Sequence, residues 1–281
     1  MMNNILTIDV EDYFQVENFK EYINYNDWSN FEQRVKRNII KILNILDTFN
    51  YKATFFILGW TAERNSEVVK EIYNRGHEVA THGYSHELIY KQSENEFKED
   101  IIRSIEVIEG IIKDKIIGYR APAFSITKDS FWALDIIKEV GLKYDASIFP
   151  IQGHDRYGMV DAKPQIYNLD NDLFEVPPAT VKIFGKRLPI AGGGYFRLAP
   201  YILTKIAIKK INNKEMPAVI YLHPWEFDPD QPRIEEANYI EKFRHYINID
   251  KTEDKFKKML SDFNFTSIEN YLELNEVENN V

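Results

Sequence analysis

Runs of β-branched and aromatic residues alternate with amphipathic stretches of helical period along most of this chain, and few folds accommodate that pattern. Ile5–Val10 reads as a buried strand that ends in carboxylates. Phe31–Phe49 carries apolar residues at Val35, Ile39, Ile42, Leu43 and Leu46, the spacing of one helix face. Ala53–Leu58 reads as a second strand, and Ser66–Arg75 as a helix closed by Gly76 in a left-handed cap. Glu78–Thr81 is a short strand, Glu94–Ile112 a long amphipathic helix and Ile116–Tyr119 a further strand. Thr127 is placed to N-cap a helix that runs to Val140 and stops at Gly141. Such alternation implies a parallel sheet covered by helices, either closed as a barrel or open and doubly wound.

From about Gly153 to Phe196 proline and glycine punctuate short β-like pieces at Gln165–Leu169, Phe174–Val176 and Thr180–Phe184. They suggest an inserted β-rich arm. Pro200–Lys210 resumes a helix, Ala218–His223 is an apolar strand, Thr252–Asp262 is helical, and a last β-like piece lies near Phe265–Ile268. A chain of 281 residues, 44% apolar, can bury one large α/β core, and no internal repeat divides it.

Cysteine is absent, so any metal must sit on His, Asp and Glu, and thiol chemistry is excluded. A net charge of −9, with no basic stripe interleaved with aromatics, argues against a nucleic acid partner. Lys113–Lys115 and Lys209–Lys210 read as ordinary solvated surface. No run reaches the roughly 18 apolar residues of a membrane span, and the amino terminus lacks the pattern of a signal peptide. The expectation is a cytoplasmic protein without a transmembrane segment, a membrane-proximal position being left open.

The reactive side chains fall at the carboxyl ends of the expected strands, where loops of a parallel α/β fold converge. Asp9, Glu11 and Asp12 follow the first strand; His77, His82 and His86 surround the third; Arg120, Asp145 and His223 follow later ones. His82 and His86 stand at i and i+4, which brings both imidazoles to one ion if the turn after Thr81 is helical. Several carboxylates at one buried strand end call for a cation. Two histidines and one carboxylate leave positions for water and a substrate carbonyl. Asp9 then suits a general base and His223 a general acid, while Asp145 could orient a histidine. Arg120 could hold a carboxylate ionised. Tyr84, Trp60 and Trp225 are candidate sugar-stacking surfaces, and Gly192–Gly194 reads as a tight loop that brings Tyr195 and Arg197 toward the cleft.

Together these residues resemble the NodB-type polysaccharide deacetylases, metal-dependent carbohydrate esterases. Thr7 to Phe14 is similar to their first motif in an expanded form, since the commoner version has two adjacent aspartates. Thr81-His82-Gly83-Tyr84-Ser85-His86 resembles the His-x-x-x-His metal motif, Arg120-Ala121-Pro122 the Arg-x-Pro motif, and Tyr221-Leu222-His223 the segment with the acid histidine. Asp145 lies in a segment like that of the family's histidine-orienting aspartate, although the usual tryptophan is missing. Asp-Val-Glu-Asp-Tyr-Phe, Ala-Gly-Gly-Gly-Tyr-Phe-Arg, His-Pro-Trp-Glu-Phe-Asp-Pro and Phe-Arg-His-Tyr resemble the subgroup associated with exopolysaccharide and exosortase gene clusters.

The resemblance implies a distorted, incomplete (β/α) barrel with a β-rich arm and a carboxyl-terminal extension. One polysaccharide deacetylase domain would span residues 1–281, with a catalytic core over 5–225 and an extension over 226–281. It further implies one divalent ion, typically zinc, on His82, His86 and either Glu11 or Asp12; strand parity favours Glu11, family habit Asp12. Asp9, Arg120, Asp145 and His223 would be catalytic, and Tyr13, Tyr84, Arg197 and Trp225 would meet the substrate, with oxyanion donors near Tyr13. The implied reaction is N-deacetylation of an acetylated amino-sugar polysaccharide or oligosaccharide. Hydrolysis of a small linear or cyclic amide and a non-catalytic, metal-containing glycan-binding protein are the alternatives.

Overall fold

A computed structural model describes residues 2–152, 158–169, 173–183, 185–190 and 192–279, the side chains of 274–279 excepted; the expected bounds Gly153 and Phe184 lie outside the described residues. In chain order the elements are β1 (Asn3–Val10), α1 (Val35–Phe49), β2 (Thr54–Ile57), α2 (Gly59–Arg64), α3 (Ser66–Asn74), β3 (Glu78–Thr81), α4 (Glu94–Ile112), β4 (Gly118–Tyr119), α5 (Trp132–Glu139) and β5 (Tyr144–Asp145). There follow β6 (Tyr167–Asn168), β7 (Phe174–Glu175), β8 (Thr180–Ile183), β9 (Lys186–Pro189), α6 (Gly193–Leu198), α7 (Tyr201–Asn212), β10 (Val219–Leu222), α8 (Tyr239–Tyr246), α9 (Thr252–Asp262), β11 (Asn264–Thr266) and α10 (Ile268–Asn279).

The main sheet runs β10-β1-β2-β3-β4-β5-β7-β6, with β11 also paired to β1. Every pairing is parallel except that of β6 with β7. Its two ends, β10 and β6, do not pair among the described residues, so the sheet is an open, curled half-barrel, the expected incomplete (β/α) barrel. β1 is buried from Asn4 to Val10 on both faces, which is why its sequence reads as a continuous apolar run instead of alternating. It pairs with Thr54–Ile57 of β2 through Thr7–Val10, with Val219–Leu222 of β10 through Ile5–Ile8, and with β11 through Asn3–Ile5.

The helices follow their periodicity. α1 buries Val35, Ile39, Ile42, Leu43 and Leu46 and ends at Asn50 in the left-handed region. It begins four residues after the expected Phe31, because Asp12 accepts the N–H groups of Arg34 and Val35 and so fixes the first turn there. α4 starts at a Ser93/Glu96 capping box. The helix expected over 127–140 is divided into a 3-10 turn, Lys128–Ser130, and α5. In the arm, β6 and β7 extend the main sheet and β8–β9 form a separate hairpin. The Gly192–Gly194 run is not a tight loop. Gly192 bridges Tyr221, where a Cβ would come within 2.0 Å of the Tyr221 carbonyl oxygen, and Gly193 opens helix α6.

Because the strands run parallel, their carboxyl ends share one rim, which holds the candidate site. The opposite rim is closed by the start of α10. There the buried Glu78 carboxylate accepts hydrogen bonds from Thr54 Oγ1, Tyr144 Oη and the Glu269 N–H. Burial raises its pKa from 4.5 to about 7, although those three donors pull the other way. Below pH 4.5 both folded and unfolded chains hold this proton; between 4.5 and 7 only the folded chain does. The stability Glu78 contributes is therefore full in acid and lost as pH rises through about 7. Urea unfolding of wild type and Glu78→Gln should show the wild type losing stability relative to the variant across that window.

Candidate metal centre

Strand β1 delivers Asp9, Glu11 and Asp12 to the rim, each 2–4% exposed. Their side chains meet different partners. Asp9 Oδ1 accepts from Arg120 Nη1 at 2.6 Å. The same nitrogen donates to Thr7 Oγ1, and Arg120 Nε donates to the Ala146 carbonyl. The guanidinium is fully buried 4.2 Å over the Phe56 ring, which leaves it one orientation.

Glu11 faces the histidines. Its Oε2 is 2.9 Å from His86 Nε2 and its Oε1 is 3.6 Å from His223 Nε2 and 3.3 Å from the Trp225 indole N–H. Burial disfavours its charge, but His86, His223 and His82 together prevail and hold its pKa down at about 2. His82 Nδ1 lies 2.7 Å from the Arg120 carbonyl oxygen. A carbonyl can only accept, so Nδ1 carries the proton and the Nε2 lone pair is left for a ligand. Burial lowers the His82 pKa to about 4, which keeps the ring neutral. One ligand atom from each of Glu11, His82 and His86 fits within 4.8 Å of the others. This buried His/His/Glu cluster is capable of coordinating a divalent metal.

The histidine pair does not depend on a helical turn, contrary to the i, i+4 expectation. Residues 82–88 form a loop with His86 at φ 56°. Asp100 on α4 holds that loop, accepting from the Tyr84 and Ser85 N–H groups and from Ser85 Oγ. Gly83 has φ +76°, and a Cβ there would stand 2.9 Å from Asp100 Oδ2.

Across the cleft His223 Nε2 is 3.8 Å from Asp9 Oδ2, while Nδ1 is 2.8 Å from Glu226 Oε1. Burial opposes a charge on His223, but Glu226, Glu11 and Asp9 outweigh it and raise the pKa to about 9. Glu226 is fully buried, and its other oxygen lies 2.8 Å from Arg197 Nε. A cleft of about 500 Å³ opens over these groups, with Tyr195, Leu198 and Arg244 at its edge.

Residues 22–144 match the polysaccharide deacetylase family, and residues 146–273 match a family described as a domain of unknown function, DUF3473. A peptidoglycan-N-acetylglucosamine deacetylase of Bacillus cereus is 42% identical over 84 residues, 30% of this chain and 28% of that protein. A peptidoglycan deacetylase of Helicobacter pylori is 27% identical over 154 residues, 50% of this chain and 52% of that one. The chain resembles the polysaccharide deacetylases over residues 22–144, less than half of its length. It thus matches about half or less of the length of these curated relatives. In fold, a Mycobacterium smegmatis protein assigned as a polysaccharide deacetylase superposes with a TM-score of 0.62 at 19% identity, over 98% of this chain and 90% of that one. A Bacillus anthracis pseudoenzyme of carbohydrate esterase family 4 gives 0.51 at 14% identity, over 95% of this chain and 65% of its own.

Several expected site residues stand elsewhere. Asp12 turns from the histidines and accepts the Tyr13, Arg34 and Val35 N–H groups as the cap of α1; of the two candidate third ligands, only Glu11 faces the cluster. The Tyr13 N–H, expected near an oxyanion, is taken by Asp12, and the Tyr13 ring is buried against Phe14 and Phe31. Tyr84 is buried with its hydroxyl on Glu63 and its ring under Arg103, so it does not line the cleft. Trp60 packs against Phe14 and Trp28, and His77 sits at the start of β3, bonded to the Ala53 N–H. Asp145 meets Ser147 and Glu175 and touches neither His82 nor His223; burial raises its pKa. The carboxylate on His223 is instead Glu226, four residues past β10 in the His-Pro-Trp-Glu segment, for which the sequence offers no role. Arg197 lines the cleft but is 4% exposed and spent on Glu226 and the carbonyls of Arg244 and His245. Trp225 lines the cleft too, stacked with both His223 and His245.

These placements separate Glu11 from Asp12 experimentally. Glu11→Ala should weaken Zn2+ binding by roughly 100-fold or more in a chelator competition, since a direct ligand exceeds the 10–100-fold typical of its outer partners. Asp12→Ala should leave the affinity unchanged and lower urea stability by about 1 kcal/mol, the worth of a lost helix cap.

Proposed function

We propose that this protein is a zinc-dependent N-deacetylase acting on an acetylated amino-sugar polysaccharide or oligosaccharide. The observation that carries this reading is that Asp9 and His223, 3.8 Å apart, share one cleft with the Glu11, His82 and His86 cluster. Glu11, His82 and His86 would hold a divalent ion, which would supply a Lewis acid for an amide carbonyl and for water. Asp9 accepts the proton of the attacking water through Oδ2, since Oδ1 is held by Arg120. His223 gives its Nε2 proton to the departing amine as the carbon–nitrogen bond breaks, so acetate and a free amino sugar leave. Glu226 fixes the proton on Nδ1 and aims Nε2 at the cleft, the part expected of Asp145. Tyr195 at the cleft edge offers a ring for a sugar face, with Trp225 as the wall behind it.

The whole of 1–281 acts as one domain in this reading, residues 5–225 forming the core and 226–281 packing on it. Its support is that the extension supplies Asp228 to Arg34, His245 to the Trp225 ring and β11 to β1. The likeness of the sequence motifs at 191–197 and 223–229 to the exosortase-associated subgroup favours an exopolysaccharide as the polymer. No helix among the described residues is long and apolar enough to cross a membrane.

Acetate release from N-acetylated chitooligosaccharides should exceed turnover of small linear or cyclic amides. The reverse order would move the assignment to a small-amide hydrolase, and zinc and glycan binding without acetate release from any acetylated polymer would leave a binding protein. Asp9→Asn should lower kcat by at least about 100-fold, the low end for a general base, with zinc content unchanged. Glu226→Gln should lower kcat by about 10–100-fold with little effect on KM, as for a lost orienting partner.

A further inference from the structure

The stretch 176–214 contains eight Lys and Arg residues and no Asp or Glu, in a chain whose net charge is −9. It folds into the β8–β9 hairpin, α6 and α7, and its outward surface is unusual. Ile202, Leu203 and Ile206 on one face of α7 are 58, 55 and 56% exposed. Leu198, 48% exposed, continues this stripe to the edge of the cleft. At the other end Lys209 and Lys210 follow on the same helix, and Lys210 Nζ reaches the Lys182 carbonyl, joining α7 to the hairpin with its exposed Ile183 and Leu188. Lys182, Lys186, Lys209 and Lys210 meet no carboxylate among the described residues, whereas Lys205 pairs with Asp262 and Arg197 faces Glu226.

Three occupants could cover an exposed aliphatic stripe. A second copy bound face to face would set unpaired lysines against lysines, which is repulsive. A glycan is held by aromatic rings and hydrogen-bonding groups, and this stripe is Ile and Leu. Aliphatic residues flanked by unpaired lysines match the interfacial region of an anionic bilayer, with side chains in the acyl boundary and ammonium groups at the phosphates. The acidic remainder of the chain favours the orientation that turns this one basic surface toward the lipid.

We propose that the α7 face and the β8–β9 hairpin form a docking surface for an anionic lipid bilayer, with the cleft mouth at its Leu198 end. The surface is peripheral, and it stands apart from the reaction assigned to the cleft, so acetate release does not bear on it.

Co-sedimentation of the full chain with vesicles tests it. Binding is expected to phosphatidylcholine vesicles containing phosphatidylglycerol, much more weakly to phosphatidylcholine alone, and it should fall as salt is raised. The variant Lys182→Glu/Lys186→Glu/Lys209→Glu should lose about tenfold or more in vesicle affinity. Ile202→Ser/Leu203→Ser/Ile206→Ser should lose binding even at low salt, with circular dichroism and zinc affinity unchanged. No binding to the anionic vesicles at low salt would overturn the proposal, as would binding retained by both variants. A dimer seen by light scattering and dissolved by the Ser variant would assign the stripe to a second copy and overturn it equally.

Discussion

Three carboxylates within four residues are buried at the end of the central strand, and the rest of the molecule is arranged around that fact. An unpaired buried charge costs several kcal/mol, so Asp9, Glu11 and Asp12 require compensation from outside β1. Each obtains it from a different part of the chain. Arg120, after β4, answers Asp9; the imidazoles after β3 and β10 answer Glu11; the first N–H groups of α1 answer Asp12. Parallel pairing makes this possible, because it brings the ends of β1, β3, β4 and β10 to one rim however far apart they lie in sequence.

Those compensations are linked. Arg120 holds Asp9 through its guanidinium and His82 through its carbonyl, so the proposed base and a proposed metal ligand are positioned by the two ends of one residue. Glu11 in turn lies between His86, His223 and the Trp225 N–H. His223 passes through Glu226 to Arg197, whose remaining donors fix the end of α8. A substitution in 193–246 can therefore alter the site without reaching the cleft. It also explains why Arg197 and Trp225, expected to face substrate, are largely enclosed.

How much of this could be read from the sequence follows from the range of the interactions. Strands β1, β2, β3 and β10 announce themselves by short apolar runs and helices α1, α3, α4, α7 and α9 by apolar period, which are local signals. The pieces α2, α6 and α8 are too short or too polar to show one, and their places are set by tertiary contacts such as Arg197 with the carbonyls of α8. Side-chain types at the site were legible because they cluster after strands. Their partners were not. Asp100 lies on the exposed side of α4 by its sequence pattern, yet it holds the His82–His86 loop. Asp145 and Glu226 are both carboxylates after strands, and only the fold decides which one reaches His223. The choice between Glu11 and Asp12 turned on whether α1 needed a cap, a contact 22 residues away in sequence.

The same fold at 14% identity in a pseudoenzyme shows that the half-barrel alone does not make a catalyst. What argues for catalysis here is local and electrostatic. A mere binding site for a cation and a glycan has no need of an arginine clamped to one oxygen of Asp9, nor of an imidazole held by a buried glutamate with its free nitrogen toward the other oxygen. Both devices orient a proton acceptor and a proton donor whose free atoms lie 3.8 Å apart at the cleft, and both use fully buried groups, Arg120 and Glu226. Buried charge kept in place by other buried charge is costly to stability. Its presence beside a metal-competent cluster supports the proposed proton transfer.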